Sequence, residues 1–130
     1  MNKTRIRRFG ILTFTAITAT TLSMAPASAL TDITIKDSAG MGKMTFHDDG
    51  DVFSVCDLKA DGGGIVGKVW YKPVVGGEWT SIASEGDSSD AGCDKITSVD
   101  VEIAGNYQMR LYWNGAGYNK KIAQSRVFNE

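Results

Sequence analysis

Residues 50–72, GDVFSVCDLKADGGGIVGKVWYK, set one cysteine, three aspartates and a triple glycine between two runs whose apolar residues recur at every second position. In the first run Phe53 and Val55 share a face. In the second Val69 and Tyr71 share one, while Lys68, Trp70 and Lys72 fall on the other. Successive side chains of an extended chain point to opposite sides, so the alternation predicts two half-buried strands. Gly62, Gly64 and Gly67 match the G-x-G-x-x-G spacing of dinucleotide sites, but that fingerprint needs a helix to open at the glycines and present its N-terminus to pyrophosphate. Here they lead into β-branched and aromatic residues ending at Pro73, which is strand composition, and the fingerprint is set aside.

The same period of two extends in both directions. Candidate strands cover 31–37, 42–48, 51–57, 64–72, 78–84, 96–103, 106–113 and 120–128, separated by Gly, Asp, Ser and Asn clusters that favour turns. No stretch of this region holds a helical period for three turns. In NYQMRLYW (106–113), Tyr107, Met109, Leu111 and Trp113 form the apolar face and Gln108, Arg110 and Tyr112 the other; Val99, Val101 and Ile103 are likewise expected to point inward. Eight short strands with one-sided alternation predict an all-β fold: a small antiparallel β-sandwich, immunoglobulin-like in architecture, with a small β-barrel as the alternative.

Upstream, Lys3, Arg5, Arg7 and Arg8 precede an apolar, threonine-rich run and an Ala-x-Ala site at Ala27–Ala29, the three regions of a secretory signal peptide. The run is too short and too rich in Thr for a membrane span of about 20 apolar residues. Arg7-Arg8 raises the twin-arginine route, but the following residues do not continue that pattern, which favours general secretion. The expected organisation is a leader over 1–29 and one domain over 30–130, secreted and extracellular. Without the leader's four basic residues, 10 Lys and Arg face 15 Asp and Glu, a net charge of about −5. Basic residues scattered through an acidic domain predict no nucleic-acid partner and no membrane insertion of the mature chain.

Cys56 and Cys93 are the two cysteines, and in an oxidising compartment they are expected to form a disulfide. Zinc held by Cys56, Cys93 and His47 would lack C-x-x-C spacing and a fourth ligand. Three oxygen-rich turns raise calcium, with Asp48, Asp49, Asp51, Asp57 and Asp61 as candidate ligands, but none has the spacing of a D-x-D-x-D-G loop with a closing Glu. Asp and Gly are also what ordinary turns select, so no cofactor is expected. His47, the single histidine, has no marked nucleophile such as a G-x-S-x-G elbow, and no enzyme is expected; a small hydrolase is a distant alternative.

The remaining signal is aromatic. If Trp70 between Lys68 and Lys72, and Tyr112 beside Arg110, stand on an outer face, they form a surface suited to sugar rings or to a protein partner. Trp70, Tyr112, Lys68 and Arg110 are therefore the candidate ligand contacts. Gly50, Asp51, Phe53, Val55, Cys56, Asp57, Ala60, Asp61, Gly62 and Gly64 form a pattern that resembles one found in small secreted proteins of streptomycetes and related actinobacteria. The resemblance implies a secreted β-domain of uncharacterised function. It differs in one respect, since several such proteins carry further cysteines near the C-terminus and this chain has none there. The function expected is a non-catalytic binding module for a cell-wall or environmental polysaccharide or a protein surface. The alternative is an inhibitor presenting the loop Glu85 to Gly92 to an extracellular enzyme.

Overall fold

The computed structural model describes residues 31–88, 92–102 and 104–129. The expected leader, Ile103 and residues 89–91 lie outside them. The described chain forms eight strands: β1 (Ile33–Lys36), β2 (Gly42–His47), β3 (Val52–Asp57), β4 (Gly64–Pro73), β5 (Thr80–Asp87), β6 (Asp94–Ile96), β7 (Gly105–Gly115) and β8 (Tyr118–Gln124). They build two four-stranded antiparallel sheets, ordered β1-β2-β3-β6 and β5-β4-β7-β8. The sheets pack face to face as a sandwich and do not close into a barrel.

Inward residues of both sheets meet in one core, where Met44, Phe46, Phe53, Val55, Val69, Met109 and Leu111 are fully buried. Phe46 packs on Phe53 and on Phe128 with ring centroids 4.8 and 5.1 Å apart, and Phe128 continues to Tyr107 at 6.2 Å. Such tilted and offset pairs contribute ~0.5–1.5 kcal/mol each beyond the area they bury. The last glycine of the apparent fingerprint has a packing role: a Cβ on Gly67 would collide with Val55 and come within 2.9 Å of Met44 Sδ, so a bare backbone lets the sheets approach there. Gly62 instead turns the chain, at φ +78°.

The aspartate-rich segments are turns built by their own side chains. Asp37 accepts hydrogen bonds from the amides of Ala39 and Gly42, Asp57 from Lys59, and Asp61 from Gly63. The disulfide links Cys56, at the end of β3, to Cys93, just before β6, with Cα atoms 4.3 Å apart. It closes a span that contains the whole β4–β5 hairpin, and the chain-entropy estimate for such a loop is about 4 kcal/mol.

Three expected strands shift. Segment 96–103 is strand only at Ile96; Val99 and Val101 do turn inward, but the backbone beyond is held by side chains. Val101 N–H donates to Asp51 Oδ2 at 3.2 Å, and the buried Tyr107 hydroxyl donates to Asp100 O at 3.1 Å. The fifth strand occupies 80–87 rather than 78–84, carrying the sheet through the polar residues Ser84 to Asp87. The eighth ends at Gln124, after which Ser125 holds Met109 and the chain returns to β7 through a two-way backbone pairing of Phe128 with Tyr107. Register slips leave Ile82 on β5 and Ile122 on β8 without an opposing residue, a bulge on each edge strand of the second sheet.

Candidate functional site

The four candidate contacts come from the two central strands of the second sheet. β4 is regular, with Ile65, Val69 and Tyr71 packed toward the core and Val66, Lys68, Trp70 and Lys72 on the outer face. β7 places Gln108, Arg110 and Tyr112 on that face, and pairing sets Lys68 opposite Arg110, Trp70 opposite Gln108 and Val66 opposite Tyr112. Residues some 40 positions apart thereby become neighbours on one surface.

That surface is not a bare aromatic platform. The Arg110 guanidinium lies over the Trp70 ring, 4.1 Å from its centroid, and 5.8 Å from that of Trp79; Lys68 Nζ lies 5.2 Å over Tyr112. Lys68 and Arg110 stand directly opposite each other, and each cation turns onto a diagonal ring. Cation–π contacts at this range contribute ~0.5–1 kcal/mol when exposed and more when desolvated. Trp70 is half-buried, and its indole Nε1 is fully buried with no hydrogen-bond partner among the described residues. Arg110 Nε donates to Gln108 Oε1 at 2.9 Å, and the buried Gln108 donates through Nε2 to Ser125 O at 3.2 Å. The guanidinium orientation is therefore fixed from beneath by a buried amide and alongside by an indole. This arrangement can hold a flat or extended ligand by hydrogen bonding and charge; it holds no nucleophile.

The calcium candidates do not converge. Asp48, Asp49 and Asp51 precede β3 and Asp57 and Asp61 follow it, so the six-residue strand separates the two groups by about 17–20 Å. Among the described residues no three His, Cys, Asp or Glu side chains stand close enough to hold a metal ion. Asp57 and Asp87 are both buried, Asp87 Oδ2 accepting from the Asp57 amide at 2.9 Å, an arrangement that ties β5 to the end of β3. Asp51, at φ 53°, is raised above the usual carboxylate range by burial and then by the neighbouring Asp100 carboxyl.

His47 has a more suggestive setting than its sequence context indicates. Its Nδ1 lies 3.0 Å from Asp32 Oδ2 and its Nε2 3.1 Å from Ser54 Oγ, the connectivity of a Ser-His-Asp triad. Asp32 Oδ1 also accepts the Asp48 amide at 3.1 Å; the bond to His47, followed by that amide, holds the Asp32 carboxyl below its ordinary value. Yet Ser54 is only 8% exposed, and it sits mid-strand in β3, whose backbone groups are engaged on both sides by β2 and β6. No pair of free amides is available there for an oxyanion. The array clasps the start of β1 to the β2–β3 turn, beside an open depression of about 390 Å³ lined by Asp32, His47, Asp49, Val52 and Lys95.

The glycine turn at 62–64 leads into strand β4 and borders an open dip with Ala60 and Ser88, with no cation on its lining. No helix among the described residues is long and apolar enough to cross a membrane. No family model, curated protein or solved structure matches this chain. Geometry and chemistry therefore carry the functional reading.

Proposed function

We propose that this protein is a secreted, non-catalytic binding module that docks a polysaccharide on the outer face of the β5-β4-β7-β8 sheet. One observation carries the reading: two central strands deliver Lys68, Trp70, Arg110 and Tyr112 to one surface as an interleaved set of rings and cations. Polar groups fixed in place and set among flat rings suit the hydroxyl-rich, planar faces of sugars. The basic and apolar leader and the disulfide support export to an oxidising compartment.

The test is retention of the oxidised protein on a panel of neutral and charged polysaccharides, beside Trp70→Ala. Retention by the native protein and its loss in a variant that remains folded supports the reading. Failure to bind any polysaccharide refutes it. An inhibitor of an extracellular enzyme is the second reading, favoured by the anchoring of the loop that starts at Glu85: Asp87 grips the β3 end and Cys93 is bonded to Cys56. Such a loop would become protease-resistant only when its target enzyme is added.

A further inference from the structure

The charge on the same face specifies the ligand more narrowly. No Asp or Glu occupies an outward register position of β4, β5, β7 or β8, although the chain contains 15 acidic residues. Lys68, Lys72 and Arg110 share the face, and Lys121 joins them from β8, opposite Tyr112. Basic residues scattered along the chain are thus gathered by strand register into one cationic surface on an otherwise acidic molecule.

Lys68 and Arg110 form a directly opposed antiparallel pair, and like charges in that position oppose folding. A carboxylate at either position would relieve them, but neither cation has a carboxylate partner among the described residues. Arg110 spends only Nε on Gln108 and leaves the rest of its fork open. A planar fork held in advance is suited to bidentate recognition of an anionic oxygen pair.

We infer, resting on the polysaccharide reading above, that the ligand is an anionic polysaccharide, with Arg110 as the central contact and Lys68, Lys72 and Lys121 flanking it. The cations are distributed over the face rather than focused in a pocket. Lys68 and Lys72 are about 13 Å apart along β4, and β8 lies about 10 Å across the sheet from β4. A polymer with repeated charges can engage that array, whereas a small anion meets one or two members of it. The rings favour the same ligand: neutral glycans and nucleobases bind by stacking on free ring faces, and Trp70 and Tyr112 each already have a cation over one face.

The decisive experiment is affinity electrophoresis through polygalacturonate and through its fully methyl-esterified form, which keeps the backbone and removes the charge. The oxidised native protein is expected to be retarded by the first and not the second, with retardation abolished by high salt. Arg110→Gln should weaken the interaction at least about tenfold. Lys72→Gln, a residue outside the ring contacts, should weaken it about two- to fivefold with an unchanged Tm, which separates binding from folding. Equal retardation by the methyl ester would overturn the charge assignment while leaving a glycan module standing. Binding to single-stranded DNA, phosphatidylglycerol vesicles or an acidic protein, with none to any polysaccharide, would overturn both.

Discussion

Replacing Gly67 with alanine adds one methyl group at the closest point between the sheets. The new Cβ would overlap Val55 Cγ2, lie 2.9 Å from Met44 Sδ and 3.2 Å from Val55 Cγ1, where contacts of about 3.5–4.0 Å are comfortable. Val55 and Met44 are fully buried, and the β-branched valine has little freedom to rotate away. The sheets must part or a side chain must leave its rotamer, at a cost of about 1–3 kcal/mol. Any Gly→Ala change also restricts the unfolded chain, which favours folding by about 0.4–1 kcal/mol. Gly86→Ala isolates that second effect, because Gly86 is an exposed β5 residue whose Cβ would meet nothing nearer than Val66 Cγ2 at 3.7 Å. The difference between the two variants is then the collision alone, about 1–3 kcal/mol. For a domain of about 100 residues this amounts to roughly 4–8 °C in Tm per kcal/mol. Thermal and urea unfolding of both variants under oxidising conditions should show Gly67→Ala destabilised and Gly86→Ala neutral or stabilised. Equal shifts of the same sign would refute the assignment of Gly67 as a packing glycine.

Two further outcomes follow from the bonds and charges described. Cys56→Ser should lower stability by about 2–5 kcal/mol, and the native protein should show the same loss in reductant; an unchanged urea midpoint would mean the bridge is dispensable. Asp51 binds its proton more tightly folded than unfolded, so its contribution falls as pH rises from the unfolded value near 3.9 through its raised folded pKa. Asp51→Asn retains an acceptor for the Val101 amide and should remove that downward slope, and identical pH profiles for the two proteins would sink the argument.

How much of this was legible beforehand depended on which interactions were local. The alternation through Phe53 and Val55, Val69 and Tyr71, and Met109 and Leu111 reports burial directly, so the sandwich and the outward set on β4 and β7 can be read from it. Segment 96–103 alternates just as cleanly and is not a strand beyond Ile96, because alternation reports which side is buried and not what the backbone is bonded to. The polar half of β5 gave no apolar signal, since its partner strand supplies the pairing. Arg110 over Trp70, and Ser54 and Asp32 on the two nitrogens of His47, depend on register between strands, which spacing in one segment does not encode. The five calcium candidates looked close because they are close in sequence, and a fully extended strand is the conformation that puts sequence neighbours farthest apart.

The unpaired Ile82 and Ile122 have a consequence for the life of the protein in a crowded exterior. A two-sheet sandwich leaves open ladder edges, and a straight open edge is a template on which another chain can add as a new strand. On β5 the ladder is broken after Ser81 and on β8 after Lys121, so a strand arriving at either edge loses register within a few residues. Lys120 and Lys121 add charge at the second edge. The two bulges act as guards against edge-to-edge aggregation, and deleting Ile82 to straighten β5 is the change that would disable one of them.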